Sequence, residues 1–218
     1  MFNIKIIFVI MDKNWKIKRD VIRHYDKIAR IYNTLYGHEQ ELKIKEILKI
    51  LDLGKCYVIL DAGCGTGLLF NYIRNSARLI VGVDLSLMTL KIALRYIKEK
   101  KINNISLIRA DVDFLPFKNE VFDKVFAITL IQNVPNPTLT ICELSRVAKD
   151  SSSLIITGLK KFFSKNDFSR LLLESNMHYL FIDADENVKC YLTICSKNKR
   201  ALNKSINKRI RIKMLVVK

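Results

Sequence analysis

The chain has 218 residues, half of them hydrophobic, a formal net charge of +17, and few glycines (7) or prolines (3). That length suits one domain with a sizeable core, and the composition excludes collagenous, linker-rich and disordered classes. Five cysteines, an odd number with no C-x-x-C pair, speak against a disulfide framework or a zinc site and for reduced thiols.

The charge is concentrated at the ends. Residues 1–19 carry +4, residues 197–218 carry +9, and the long stretch between them carries only +4. A basic terminus can bind phosphate backbones through counterion release, or it can simply be solvated. The opening "MFNIKIIFVIMDKNW" holds an apolar run shorter than the about 20 residues that span a bilayer. It lacks a signal-peptide cleavage site and an arginine-rich transit pattern, so no membrane association and a cytoplasmic location are expected. Met11, followed by the polar "DKNWKIKRD", is an alternative start.

Residues 20–51 read as a helical cap. Ile22, Tyr25, Ile28, Tyr32 and Leu35 form one apolar stripe, Gly37 is expected to break it, and Gly54 to end the helix that follows. Strands and helices then alternate. "CYVILDAG" is a buried strand and "TGLLFNYIRNS" a helix. "RLIVGVDLS" is a second strand whose Ser86 can cap the helix "LMTLKIALRYIKEKK". "ISLIRADV" and "FDKVFAITLI" are the third and fourth strands. "NPTLTICELSRVAK" is a helix opened by proline, and "SSLIITGL" is the fifth strand. "SKNDFSRLLLESN" is a helix with Ser164 three residues before Asp167. "HYLFIDADE" and "VKCYLTICSK" close the fold as a hairpin, which makes the last strand antiparallel. Alternation of this kind predicts a parallel sheet with right-handed crossovers. Three segments are expected: an extension at 1–19, one domain at 20–197 with its cap at 20–51, and a basic tail at 198–218.

In such sheets ligands bind beyond the carboxyl ends of the strands, where the strand order reverses. The loop "DAGCGTG" after the first strand lies there, with Gly63, Cys64, Gly65 and Gly67 preceded by Asp61. Its G-x-G-x-G spacing differs from the dinucleotide fingerprint G-x-G-x-x-G, and Asp61 would repel a pyrophosphate. A nicotinamide oxidoreductase is thereby disfavoured. The second strand ends in Asp84, a carboxylate able to accept both hydroxyls of a ribose. The third ends in "RAD", which brings Asp111 to the same edge. Three acids on three strand ends ask for a ligand with a cation, a diol and an aminopurine but no phosphate. S-adenosylmethionine (SAM) has those parts.

"VILDAGCGTGLL", "VGVDLS" and "IRADVDFLPFKNEVFDKVFAI" resemble the successive motifs of the class I SAM-dependent methyltransferases, nearest to the group that includes quinone-biosynthesis enzymes. The resemblance covers about residues 20–197. It implies an α/β Rossmann-like fold with a seven-stranded, mostly parallel sheet, an antiparallel last strand and helices on both faces. By the same resemblance Asp61, Gly63, Cys64, Gly65 and Gly67 form the loop at the methionine end, with Asp84 on the ribose and Leu85 on the adenine. Asp111 and Val112 meet the adenine edge. Thr129 and Gln132 follow the fourth strand, where the methyl group faces its acceptor. Tyr25, Tyr32 or Tyr36 of the cap would close over SAM, unless the stripe only packs the core.

His24 and Asp26 are the conceivable general bases, with Gln132 as a further catalytic candidate. No His, Cys or acid spacing suggests a metal. "LIQNVPNP" departs from the Asn/Asp-Pro-Pro-aromatic tetrapeptide of members that methylate exocyclic base amines. Neither Cys64 nor Cys142 is well placed as the thiolate that pyrimidine C5 methylation needs. A nitrogen or oxygen acceptor is expected. The short "GLKKFFSK" connection and the basic ends favour RNA (tRNA or rRNA) as acceptor. The alternatives are a quinone-precursor-like metabolite and a SAM-binding partner protein without catalysis.

Overall fold

The computed structural model describes residues 3–204 and the side-chain surroundings of residues 14–203. Two helices lead, α1 (Asn3–Ile28) and α2 (Tyr32–Ile50). The alternating body follows with β1 (Val58–Ala62), α3 (Phe70–Ile73), β2 (Leu79–Asp84), α4 (Leu87–Glu99), β3 (Ile105–Arg109) and β4 (Phe122–Ala127). It continues through α5 (Pro137–Val147), β5 (Ala148–Leu159), α6 (Lys165–Glu174), β6 (His178–Ile182), β7 (Cys190–Ser196) and α7 (Lys199–Lys204).

All seven strands join one sheet in the order β3-β2-β1-β4-β5-β7-β6. The first five run parallel. β7 pairs antiparallel with both β5 and β6, as the short hairpin predicts. Strand order reverses between β1 and β4, so the loops after those two strands flank the cleft at the carboxyl edge.

Side chains alternate across the sheet and fill two cores. On one face Ile59, Ile80, Phe126 and Ile194 pack with Ile44 and Ile47 of α2, Phe70 and Ile73 of α3, and Leu90, Ala93 and Ile97 of α4. On the other, Leu60, Val83, Val125 and Ile156 pack with Ile141 and Leu144 of α5 and Phe168 and Leu172 of α6. The sheet is therefore covered on both sides, which explains why its central strands read as continuous apolar runs.

The caps expected at Ser86 and Ser164 form: the Ser86 hydroxyl accepts from Thr89 N at 3.2 Å and Ser164 Oγ from Asp167 N at 3.1 Å, while Asn136 Oδ1, a cap the sequence reading did not name, accepts from Leu139 N at 3.1 Å. Several boundaries differ from the sequence reading. The first helix does not break at Gly37, which is buried inside α2. The chain turns instead at Ala29–Ile31, where Ile31 N donates to Ile28 O. One glycine costs a helix about 1 kcal/mol, which the buried Ile44 and Ile47 outweigh. Nor does Gly54 end α2: Leu51 leaves the helix in an extended conformation because its side chain is drawn into the core.

Further boundaries differ in the same local way. The helix expected after the glycine loop is a single turn, α3, followed by a 3-10 turn at Arg74–Ser76, since the loop itself extends to Leu69. α1 runs without interruption through residues 19 and 20. α7 begins the expected tail and packs Ala201 and Leu202 against the body. Residues 205–218, the greater part of that tail, lie outside the described residues, as do residues 1 and 2.

Candidate cofactor and acceptor site

The glycine loop is built by backbone geometry. Gly63 and Cys64 both donate their N–H groups to Val83 O, at 2.8 and 3.0 Å, which ties the loop to the end of β2. Gly67 adopts φ +80, and a Cβ there would lie 2.5 Å from the Phe70 ring, so only glycine fits. Gly65 also has positive φ (+52), yet a Cβ there would meet nothing within 4 Å. Its freedom serves the space it faces, not the packing.

That space is a cleft in three neighbouring compartments that share lining residues. One, of about 90 Å³, is lined by Gly63, Gly65, Asp84, Leu85, Asp111 and Val112, with Thr129 closing it. A second, of about 50 Å³, lies against Asp61, Cys64 and Gln40. A third, of about 600 Å³, opens between the cap and the ends of β5 and β7. Tyr32 lines all three, while Tyr25 and Thr129 separate the first from the third.

The acids differ sharply in surroundings. Asp61 is 3 % exposed, and among the described residues it has no ion pair. Burial, with the charge of Asp84 nearby, pushes its carboxyl up to about 8. Asp84 accepts from Gly65 N and Ser86 N, each at 2.8 Å, and burial still raises it above the ordinary carboxylate range. Asp111 is engaged from the cap: Lys18 Nζ of α1 lies 2.6 Å from its carboxylate and 2.5 Å from that of Asp113. Burial alone would depress the Lys18 ammonium, but the two carboxylates overcome it and hold it above its usual value. Lys18 falls in the stretch that the sequence reading set outside the domain. No periodicity marks it, and only the fold brings it to Asp111, 93 positions away.

Thr129 is the most constrained residue of the site. It is β-branched yet sits at φ +60, a conformation that costs of order 1–3 kcal/mol. Its N–H donates to Thr157 Oγ1 at 2.8 Å, its hydroxyl donates to Gln40 Oε1, and the same hydroxyl accepts from Lys43 Nζ, both at 3.1 Å. Its carbonyl accepts from the side chains of Gln132 and Asn133. Asn133 also donates to the Tyr25 hydroxyl at 3.0 Å. Gln132 therefore shapes the Thr129 turn and does not line the cleft.

Not every expected residue reaches the cleft. Gly67 supports the loop from behind. Asp26 accepts from the Ser86 hydroxyl at 2.5 Å and from Met88 N at 3.2 Å, so it is tied to the start of α4. His24 lines only the largest compartment, against Tyr25. Tyr36 lies there too, in ring contact with Tyr32. Gln40, Lys43 and Asn133 escaped the sequence reading, because isolated polar residues on apolar stripes look like solvated positions.

Among the described residues, no group of His, Cys, Asp or Glu side chains is arranged to hold a metal. None of their helices is long and apolar enough to cross a membrane.

The fold is that of solved SAM-dependent methyltransferases, the group whose motifs the sequence resembles. Residues 60–156 match the family model described as a methyltransferase domain. A putative SAM-dependent methyltransferase from Methanococcus maripaludis superposes with a TM-score of 0.68 at 18% identity, covering 82% of this chain and 94% of that one. An uncharacterized protein of Methanocaldococcus jannaschii is 32% identical over 140 residues, 64% of this chain and 52% of its own length. A malonyl-[acyl-carrier protein] O-methyltransferase of a Marinomonas species is 27% identical over 66% of this chain and 53% of its own. The chain thus spans about half the length of these curated relatives.

Proposed function

We propose that the chain is a SAM-dependent methyltransferase that transfers a methyl group to a nitrogen or oxygen acceptor. The observation that carries this reading is the setting of Gly65. Its Cβ direction is open into a cleft flanked by Asp61, Asp84 and Asp111 on successive strand ends. A backbone kept bare beside three acids lets a nucleoside lie against the loop, and a cation entering beside Asp61 favours its charged form.

SAM, when bound, supplies an activated methyl group on a sulfonium. The chain's own residues bind and orient. Asp61 meets the cationic methionine end, with Cys64 and Gln40 beside it. Asp84, fixed by two backbone amides, meets the ribose hydroxyls; Leu85 and Val112 cover the adenine, and Asp111 reaches its amine. Tyr32 and Thr129 stand between cofactor and acceptor, and holding the two in line does most of the catalytic work. Of the conceivable bases, His24 borders the acceptor compartment, whereas Asp26 is committed to α4.

The test is direct. SAM binding is measured calorimetrically on the wild type and on Asp84→Ala, and labelled SAM is incubated with RNA, protein and metabolite fractions. A large loss of affinity in the variant and label in one fraction are expected. An unchanged dissociation constant would overturn the cofactor assignment, and binding without transfer to any fraction would favour a non-catalytic partner protein. The basic termini are the support for an RNA acceptor; the tyrosine-walled compartment supports a small molecule.

A further inference from the structure

The compartment of about 600 Å³ has the size of a small-molecule site and lies directly across Tyr25, Tyr32 and Thr129 from the cofactor cleft. Its walls divide by chemistry. One side is aromatic: Tyr25, Tyr32 and Tyr36 run in sequence along the cap, with ring centroids 6.0 and 5.2 Å apart. The opposite side is cationic. Lys160, Lys161 and Lys189 come from the ends of β5 and β7, and Lys43 comes from α2. Among the described residues of the lining, two carboxylates, Glu39 and Glu186, answer these four lysines.

Lys43 decides what this surplus is for. Its side chain is fully buried, a position lysine almost never takes without a partner. Its ammonium touches Glu39 Oε1 at 3.0 Å and Thr129 Oγ1 at 3.1 Å, and it lies near the Cys190 thiol. An ammonium offers three donors. The Glu39 contact is a poor one, since that same oxygen is buried and makes no hydrogen bond. Lys160 donates to Val188 O at 2.8 Å, which fixes a second ammonium at the rim, and Lys161 lies over the Phe162 ring. A buried lysine held beside the turn of Thr129, backed by rim lysines and faced by tyrosines, is built to receive an anion on an apolar or planar body.

We propose that this compartment binds the methyl acceptor as a small carboxylate-bearing molecule, its anionic group on Lys43 and its body along Tyr25, Tyr32 and Tyr36. The proposal rests on the methyltransferase reading, because it takes the neighbouring cleft as the cofactor's. Lys43 is a positioning residue: it fixes the acceptor relative to Thr129, where the cofactor compartment begins.

The test uses the full chain with S-adenosylhomocysteine bound. Matched pairs of carboxylates and their uncharged amides (benzoate with benzamide, octanoate with octanamide) are titrated by calorimetry, with bulk tRNA as a competitor. In at least one pair the carboxylate is expected to bind about tenfold or more tighter than the amide, the scale of a charge-assisted contact. Lys43→Met is expected to abolish that preference while S-adenosylhomocysteine still binds. If Lys43→Met does not fold, the exposed pair Lys160→Gln/Lys189→Gln carries the test, with the preference reduced several-fold and the melting temperature unchanged. No preference in any pair, or a preference that survives the variants, overturns the proposal. So does displacement of the carboxylates by tRNA with label entering RNA. Failure of S-adenosylhomocysteine to bind the wild type would instead sink the methyltransferase reading beneath it.

Discussion

Gly65 and Gly67 share a motif and a left-handed backbone, yet their substitutions separate stability from binding. Gly65→Ala places a methyl group in open space, so its expected stability cost is only about 1 kcal/mol, from the positive φ. The same methyl group occupies the cleft and is expected to lower SAM affinity by at least about tenfold, read by calorimetry beside a melting curve. Gly67→Ala drives a methyl group into Phe70 and is expected to lower the melting temperature before any ligand is added. Asp61 yields a pH dependence. With its carboxyl near 8, it is mostly protonated at pH 7, and a cationic ligand must displace that proton. SAM binding at pH 7 is therefore expected to release a proton, measured as a calorimetric enthalpy that varies with the ionisation enthalpy of the buffer. Asp61→Asn should remove that variation.

Helix α1 behaves as a strap, and its anchors are polar. Lys18 holds Asp111 and Asp113, Asp26 holds the start of α4, and Tyr25 takes a bond from Asn133. Lys18→Met leaves two carboxylates without their cation, and the expected cost is about 2–4 kcal/mol, with faster limited proteolysis within α1. The compartment beneath Lys18 is far smaller than a nucleoside needs, so SAM is expected to change that proteolysis pattern as well. Strands, helix caps and the closing hairpin could all be read from the chain, since each rests on a periodicity of two or 3.6 or on a capping side chain a few residues away. The gathering of Asp61, Asp84 and Asp111 at one edge could be read too, because the ends of consecutive parallel strands share that edge by topology. The turn at Ala29–Ile31 and the Lys18 bridge could not. The turn carries no glycine or proline, and Lys18 meets partners whose separation in sequence is set by the whole sheet.

At the scale of the molecule, two buried charges shape stability against pH. Asp61 is raised from its ordinary value, so the folded state holds a proton that the unfolded state has lost. Its cost to stability grows from about pH 4 and is complete near pH 8. Lys124, on β4 beside Ser153, is lowered to about 8 by burial. Its cost is full below that pH and is relieved as pH rises toward the ordinary lysine value. Together they weigh most heavily near pH 8. The double variant Asp61→Asn/Lys124→Met is expected to melt higher than wild type, with the largest difference in melting temperature near pH 8 and smaller ones at pH 5 and above pH 10. A difference that did not vary with pH would show that packing, not charge, sets the change.

The cap's anchors also order events during synthesis. α1 is made before the groups that fix it, which follow 60, 93 and 108 positions later, at the cap of α4, beyond β3 and beyond β4. β1, with the glycine loop at its end, waits in the same way for its neighbour β4. A nascent chain halted before residue 133 therefore carries the whole glycine motif without the Tyr25 tether or a finished turn at Thr129. The cap is made well before the groups that fasten it.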